Sequence, residues 1–486
     1  MKRLLYFVLI AGIFILSFFC YSSNFFALLG SDDAIQILMI HDFKLPHDLY
    51  FWGQDRYGSL IPLLGQVFYR VAGLSALTSE SVTHYLLLIA GYFALATLLK
   101  SNFSRLLLAI VWFFPPIRLI DLLRLNIGQE YALLAISIFI INRLYESNIS
   151  RSRFKKHLML LSITVLMILA VWVSDLAVIS VFLILVFQIY TSWNFGNLMD
   201  RLLKWRTEIL YSIAGTIIGA AFIFYGKYFA DKSPSYNNFN DFGTILSSLG
   251  LFGKSIKELL LFTAYEPFTS AFLYAVTFIS ITLFVMRGSI RMSSNQKKWF
   301  WFFILDTVLI FFLIMISKWS YNNGVPRRYF TSTYITISMA LLIASESLIE
   351  SDIKKALRII MMVSVVIAGA GSLYNLKLIW PKTLKPRVEI VREFESLGRI
   401  GIIGNYWNSY INSVTNPDQI VATPDDHSSV RNRGMAARVM QCDTIYIIRD
   451  GWFEIFPDSL NQFGSALYKN GDEFRMGDCY VCRYRK

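Results

Sequence analysis

The sequence predicts an α-helical polytopic membrane protein with about eleven transmembrane helices, helices in its outer loops and a small C-terminal α/β domain. Of the 486 residues, 55% are hydrophobic and only 16% are charged. Apolar stretches close to the roughly 20 residues that a helix needs to cross a bilayer recur along most of the chain. Because one water-soluble core would leave much of this apolar surface exposed, the chain requires lipid.

The first apolar stretch follows Lys2 and Arg3, as in a secretory signal. No small-residue cleavage site follows it, so we expect a retained first helix. The predicted spans are roughly 4–20, 85–99, 106–115, 130–142, 158–173, 176–192, 208–225, 271–286, 299–317, 331–348 and 359–376.

Basic residues predict the orientation of these spans. Strict alternation assigns Lys100, Arg143, Lys204, Arg287 and Lys354 to one side, together with most other span-end cations, which identifies that side as the cytoplasm. The chain is therefore predicted to lie in the bacterial inner membrane, with a cytoplasmic N-terminus and a periplasmic C-terminus. The net charge of +13 is then a topology signal, and no nucleic-acid partner is expected, since the charges are scattered through short loops.

Two domains follow from this topology. Residues 1–376 form the transmembrane domain, with long periplasmic loops at 21–84 and 226–270, and residues 377–486 form the small periplasmic domain. Short apolar runs at 400–404, 419–422 and 444–448 are predicted strands of that domain. Function is expected on the periplasmic side, because binding and catalytic residues collect on loops that a rigid scaffold holds.

The C-terminal domain contains three of the four cysteines, Cys442, Cys479 and Cys482. On the oxidising side of a membrane, a disulfide from Cys442 to one of the other two is expected, with the choice left open. The spacing of Cys479 and Cys482 also fits a redox or zinc pair. Since no second pair or nearby histidine accompanies them, no metal site is predicted.

The first periplasmic loop begins with a pair of carboxylates. Ser31 is predicted to cap a helix with Asp32 and Asp33 in its first turn, where the helix dipole stabilises negative charge. The same pattern is a routine helix start, so by itself it does not separate catalysis from capping. Candidate substrate-binding residues that follow in this loop are His41, Asp42 and Arg56.

Cations also occur in the short periplasmic segments. Lys318, Arg327 and Arg328 precede a late span, where they suit either a phosphate group or the lipid headgroups. Adjacent arginines on the outer side oppose the positive-inside tendency, which favours phosphate binding.

A second cationic segment follows a double proline that ends the preceding helix. Arg118, Asp121 and Arg124 recur at three-residue spacing and share one helical face. Ion pairs that hold loops together and the binding of donor or acceptor are equally good interpretations. Glu130, at the mouth of the next span, is a weaker candidate for acid–base chemistry.

The order of these motifs resembles the GT-C superfamily of integral-membrane glycosyltransferases, which includes the aminoarabinose transferases of lipid A and the protein O-mannosyltransferases. In that family a short first span leads to an acidic pair at the start of a loop helix, matched by Asp32-Asp33, and then to a His-Asp-like turn, matched by His41-Asp42. Arg327-Arg328-Tyr329 is similar to an Arg-Tyr element before a late span, and 401–410 is similar to a strand and aromatic segment of the C-terminal domains.

Within the superfamily the chain most resembles the phage-encoded serotype-converting O-antigen glucosyltransferases of enteric bacteria. The resemblance implies transfer of glucose from undecaprenyl phosphate glucose to the O-antigen of lipopolysaccharide, on the periplasmic face. It also implies two functional partners, a flippase for the lipid-linked glucose and a polyprenyl-phosphate glucosyltransferase that makes it.

The chemistry of this reaction suggests roles for the candidate residues. Asp32 is the first choice for the general base. Asp33 would share that role, orient the acceptor or hold a divalent cation, and no other cofactor is predicted. The cations expected to bind the donor phosphate are Arg327, Arg328, Lys318 and Arg124. The residues expected to bind substrate elsewhere are His41, Asp42, Arg56, Arg118, Asp121 and Glu130.

Two other classes of function remain open. A lipid-linked oligosaccharide flippase or other transporter usually has polar residues at mid-membrane depth. In the predicted spans, Asp306 is the only acidic residue that lies clearly near the middle of a span. An O-antigen polymerase or ligase is expected to have one dominant outer loop late in the chain.

Overall fold

The computed structural model describes residues 3–146, 153–191, 205–232, 238–349, 351–452 and 454–486. Helices dominate it, and every predicted span falls on a helix. These helices are Arg3–Tyr21, Ala76–Ala96, Asn102–Phe113, Asn126–Glu146, Arg153–Val173, Ala177–Thr191, Arg206–Phe229, Pro267–Val285, Ser294–Ile316, Thr331–Glu346 and Ser351–Asn375. The predicted α-helical polytopic class is confirmed.

Fewer helices than predicted meet the length and composition of a full span. Among the described residues, 7 helices are long and apolar enough to cross a membrane, or up to 8 if a bent pair counts as one span. Others are too short for a straight crossing, such as Thr331–Glu346 with 16 residues. The bent pair, Asn102–Phe113 and Ile117–Leu123, turns by 97° at Pro115-Pro116, because proline cannot continue the helical hydrogen bonding.

The predicted loop helices are present as well. The first loop contains Ser31–His41 and Leu60–Gln66, and the mid-chain loop contains Phe242–Leu260. Asp241 begins the last of these, since its carboxylate accepts a hydrogen bond from the Thr244 amide at 2.8 Å. That bond lowers the pKa of Asp241 below its usual value.

The chain forms two compact units. The first comprises Met1–Ser17, Leu86–Phe224 and Pro234–Ile379, and the second comprises Phe18–Tyr85, Tyr225–Ser233 and Trp380–Lys486. Most of the first loop therefore belongs to the same unit as the C-terminal segment. A functional division of the chain at residue 376 stays a prediction.

A mixed sheet forms the core of the C-terminal segment, with seven strands among the described residues. The strands are β1 (Ile400–Gly404), β2 (Ile420–Pro424), β3 (Ile445–Ile448), β4 (Ser459–Gln462), β5 (Ser465–Lys469), β6 (Phe474–Met476) and β7 (Cys479–Arg485). Their order is β2-β1-β3-β7-β5-β4, with β6 paired to β7. β1 pairs in parallel with β2 and β3, and β3 pairs antiparallel with β7. The predicted small α/β domain is confirmed, and its three predicted strands are β1, β2 and β3.

The expected disulfide is absent from this domain, where Cys442, Cys479 and Cys482 are all free thiols. Cys479 and Cys482 are both on β7, but their odd spacing points the side chains to opposite faces of the strand. Cys482 is buried in the sheet, and the Cys479 sulfur lies 4.0 Å from Arg387 Nη2. Cys442 Sγ instead lies 3.5 Å from the carbonyl oxygen of Arg438.

Candidate active site

The first-loop helix begins one residue earlier than predicted. Gly30 is its N-cap and Ser31 is its first helical residue, so the predicted capping role of Ser31 is wrong. Asp33 supplies the cap, because its Oδ2 accepts a hydrogen bond from the Gly30 amide at 3.0 Å. The Asp33 side chain is buried, whereas Asp32 is half-buried. The two adjacent carboxylates therefore have different surroundings.

Replacement of Asp33 is expected to weaken this helix start. Asp33→Ala removes the oxygen that accepts from Gly30 and the negative charge near the helix N-terminus, so the free energy of unfolding should fall by about 1 kcal/mol. The measurement is thermal unfolding in detergent, with Asp33→Asn as the matched variant, since an amide oxygen still accepts the hydrogen bond. Equal melting temperatures for wild type and Asp33→Ala would contradict the capping role.

Asp32 is contacted by a residue from the far end of the chain. The Tyr406 hydroxyl donates a hydrogen bond to Asp32 Oδ1 at 2.5 Å, and the Ser31 hydroxyl donates to the Tyr406 carbonyl oxygen. Burial, followed by the negative charge of Asp32, raises the pKa of Tyr406. The phenol consequently stays protonated and remains a donor to the carboxylate.

Arg431 supports this contact from the other side of the tyrosine. Its guanidinium carbon lies 5.4 Å from the centre of the Tyr406 ring, and its Nη1 donates to the Gly53 carbonyl oxygen at 3.1 Å. Gly53 has a φ of +69°, and a Cβ there would lie 2.7 Å from Arg431 Cδ. Only glycine fits this close approach without strain.

The other first-loop candidates have contacts of their own. His41 is the last residue of the helix that contains Asp32, about 13 Å further along the axis at 1.5 Å per residue. Its Nε2 lies 3.2 Å from Asp418 Oδ1, while Asp42 pairs with Lys44 at 2.9 Å on the surface. Arg56 donates to the Gln54 side chain at 3.0 Å. Binding of substrate by these residues stays a prediction.

The membrane-spanning unit contains a cavity of about 770 Å³ in which several predicted residues meet. Three chain segments line it: the short helix after the double proline, the loop helix Phe242–Leu260 with the residues that follow it, and the turn before Thr331–Glu346. The charged residues in its lining are Arg118, Asp121, Lys254, Glu258, Glu266, Arg327 and Arg328. Four cations and three carboxylates therefore share one cavity.

Glu266 holds two of these cations in place. One of its oxygens lies 2.8 Å from Arg118 Nε, and the other lies 3.0 Å from Arg327 Nη1. Arg327 also donates from Nε to the Ser255 hydroxyl at 2.8 Å, and its Nη2 is 3.8 Å from Glu258. Because the Glu266 side chain is only 8% exposed, salt screens its charge less than it would screen a surface carboxylate.

Three further candidates lie outside the cavity lining. Lys318 begins a short helix, and its amide donates to the Asn238 carbonyl oxygen at 3.0 Å. Arg124 ends the short helix after the double proline and is not among the lining residues. Glu130 is fully buried in the Asn126–Glu146 helix. Their predicted roles in binding remain predictions.

Asp306, the mid-span acid, makes hydrogen bonds between helices. Its carboxylate is fully buried and accepts hydrogen bonds from Ser180 at 2.6 Å and Tyr131 at 2.9 Å. The three side chains come from three different helices. Asp306 thus links the bundle through satisfied hydrogen bonds, as a buried polar group requires.

Four site residues were not predicted from the sequence, namely Tyr406, Arg431, Lys254 and Glu266. Lys254 is four residues before Glu258 on a loop helix, so helical periodicity would have placed both on one face. Glu266 directly precedes a proline at a helix start, which is a local signal as well. Tyr406 and Arg431 have no such signal, because their importance depends on contacts with the first loop.

Within the part of the chain that the structure describes, no group of three or more His, Cys, Asp or Glu side chains is arranged to hold a metal ion. Asp33, for which cation binding was one of three predicted roles, accepts a hydrogen bond from the Gly30 amide.

Comparisons with known proteins give similarity in structure but not in sequence. No family model matches the chain, and no curated protein matches it. The crystal structure of ArnT from Cupriavidus metallidurans bound to undecaprenyl phosphate superposes with a TM-score of 0.56 at 9% identity, covering 99% of this chain and 97% of ArnT. The apo state of ArnT gives a TM-score of 0.55 at 9% identity, with the same coverage.

The apo oligosaccharyltransferase of Archaeoglobus fulgidus matches more weakly, with a TM-score of 0.45 and 10% identity over 92% of this chain and 70% of that protein. The likeness to ArnT extends over nearly the whole of both chains, although few residues are identical. The chain therefore has the GT-C fold, which it shares with ArnT.

Proposed function

We propose that the protein is a polyprenyl-phosphate-sugar-dependent hexosyltransferase that moves glucose from undecaprenyl phosphate glucose to the O-antigen of lipopolysaccharide. The observation that carries this proposal is the cavity of about 770 Å³, in which Arg118, Lys254, Arg327 and Arg328 meet. Its volume falls in the range of about 300–1,000 Å³ typical of ligand sites. A lipid-linked phosphate is the anion that such a cationic cavity in a membrane-spanning unit would bind.

The identity of the lipid carrier is supported by the shared fold. An ArnT structure with this fold holds undecaprenyl phosphate, and at 9% identity the argument for this chain is one of fold-level analogy. Arginine suits the phosphate end of such a lipid, since its planar fork can donate two hydrogen bonds to phosphate oxygens. Arg328 also stacks on Tyr329, with 5.6 Å from its guanidinium carbon to the ring centre.

The proposed reaction is a single displacement. An acceptor hydroxyl oxygen attacks the anomeric carbon, the bond from that carbon to the phosphate oxygen breaks, and undecaprenyl phosphate leaves. Asp32 takes the proton of the hydroxyl, which is the role of a general base. Guanidinium groups neutralise the negative charge that develops on the departing phosphate. Such a direct attack inverts the anomeric centre.

The proposed setting is the periplasmic face of the bacterial inner membrane, with the N-terminus in the cytoplasm. The positive-inside distribution of lysine and arginine supports this orientation. A glucose-lipid flippase and a polyprenyl-phosphate glucosyltransferase would then supply the donor on the correct side. Glucosylation of the O-antigen would change the serotype of the cell.

The test is a transfer assay with the purified full chain in proteoliposomes. Radiolabelled undecaprenyl phosphate glucose and O-antigen are supplied together, and label should appear in the polysaccharide. The matched control replaces the lipid donor with UDP-glucose, from which we expect no transfer. Absence of transfer from undecaprenyl phosphate glucose, accompanied by movement of this lipid across the bilayer, would instead identify a flippase.

A further inference from the structure

Tyr406 contacts Asp32, the proposed general base. It lies in a segment to which the proposed mechanism assigns no role. It lies in a one-turn helix, Tyr406–Ser409, directly after β1. Asn405 fixes the start of this turn, because its side-chain oxygen accepts hydrogen bonds from the amides of Trp407 at 2.9 Å and Asn408 at 3.2 Å. Asn405 is itself held, since its amide donates to the Asp450 carbonyl oxygen at 2.7 Å. These hydrogen bonds fix the backbone of the turn that contains Tyr406.

Two hydrogen bonds of opposite direction join this turn to the first-loop helix. The Ser31 hydroxyl donates to the Tyr406 backbone, and the Tyr406 hydroxyl donates to Asp32. Arg431 packs against the tyrosine ring and is held by the Gly53 carbonyl oxygen. The phenol has little freedom to move away from the carboxylate.

This arrangement has a consequence for the two oxygens of Asp32. Oδ1 accepts the phenol proton, and an ionised carboxylate can accept further hydrogen bonds at Oδ2. A side chain held at one oxygen keeps a single orientation, and a base must be oriented accurately to receive a proton. We propose that Tyr406 is a positioning residue for sugar transfer. By holding Asp32 in one orientation, it allows Asp32 Oδ2 to take the proton from the hydroxyl group of the acceptor sugar. This inference rests on the proposed function.

Tyr406→Phe tests the role, since it removes the hydroxyl and keeps the ring beside Arg431. We expect kcat to fall about 10- to 100-fold through misplacement of the base, with the KM for undecaprenyl phosphate glucose changed less than about twofold. Tyr484→Phe is the matched control, because Tyr484 is also buried in this unit and donates one hydrogen bond, at 2.6 Å, to the Pro457 carbonyl oxygen. The control should keep the wild-type kcat.

A double-mutant cycle separates positioning from a purely structural role. In an Asp32→Asn background, addition of Tyr406→Phe should lower the residual kcat by no more than about twofold, since no base remains to be oriented. Equal losses in both backgrounds, or an unchanged kcat in Tyr406→Phe alone, would overturn the proposal. If wild type transfers glucose but Asp32→Asn keeps the wild-type kcat, the base assignment of the proposed function fails instead.

An isosteric replacement keeps the test decisive if Tyr406→Phe does not fold. A difluorinated tyrosine at position 406 retains the size of the ring but ionises at lower pH than tyrosine. Its phenolate cannot donate to Asp32, so kcat should fall on the alkaline side, where the wild-type value stays constant. The charged groups that face the phenol are Asp32 and Arg431. The pH at which the fluorinated phenol ionises within the protein is read from its fluorine NMR shift, and a kcat that stays constant through that pH would contradict the donor role.

Discussion

Asp32→Asn is expected to lower the kcat for glucose transfer by about 10²- to 10⁴-fold, which is the usual contribution of a general base. Asparagine matches the shape of aspartate and can still accept the Tyr406 hydrogen bond through its oxygen. It cannot take up a proton from the acceptor hydroxyl. The KM for the lipid donor should change little, because the substitution removes an interaction that operates in the transition state.

The control for this experiment is Asp418→Asn, a substitution of the same chemistry in the same unit. Asp418 is 81% exposed and pairs only with His41 among its described ion-pair partners. We expect its kcat to stay within about twofold of wild type, since exposed pairs contribute little. Initial rates at saturating donor and acceptor provide the comparison. If Asp32→Asn were as active as Asp418→Asn, the base would have to be sought elsewhere.

Arg327→Met is expected to raise the Kd for undecaprenyl phosphate about 10- to 100-fold. The substitution removes a charged donor from the cavity, and hydrogen bonds to charged groups contribute about 1.5–3 kcal/mol. It also leaves Glu258 and Glu266 without a guanidinium that lies 3.8 and 3.0 Å from them, so phosphate meets more negative charge. Arg118 still pairs with Glu266, which should preserve the fold of the cavity.

Lys257→Met is the matched control for the removal of a cation near the cavity. Lys257 is exposed on the Phe242–Leu260 helix, three residues after Lys254, but does not line the cavity. Titration of undecaprenyl phosphate in detergent, at one fixed salt concentration, should give a Kd close to wild type for this variant. Equal weakening by Arg327→Met and Lys257→Met would indicate attraction by the overall charge and not a defined phosphate site.

Local patterns in the sequence correctly predicted most of the secondary structure. Every predicted span falls on a helix and the three predicted strands are β1, β2 and β3, because hydrophobic runs and their periodicity depend only on neighbouring residues. Among the described residues, 7 or 8 helices have both the length and the composition of a full span, since some predicted spans lie on shorter helices, such as Thr331–Glu346 with 16 residues.

The candidate site was predictable in its residues but not in its arrangement. Arg118, Arg327 and Arg328 were selected from the sequence and do line one cavity. Glu266, which pairs with Arg118 and Arg327, was not selected. It lies 148 positions from Arg118 in the sequence. Spacing within one helix cannot indicate a partner on another segment.

The sequence alone determined that this protein is a helical membrane protein with an acidic pair at a loop-helix start, cationic outer segments and a small α/β domain. Only the tertiary structure showed that Asp33 caps the helix and that Asp32 accepts a hydrogen bond from Tyr406, 374 residues away. It also showed that the cysteine thiols are unpaired. The physical reason is that composition and periodicity are local properties of the chain. Roles at the site depend on hydrogen bonds and charges that distant segments bring together when the chain folds.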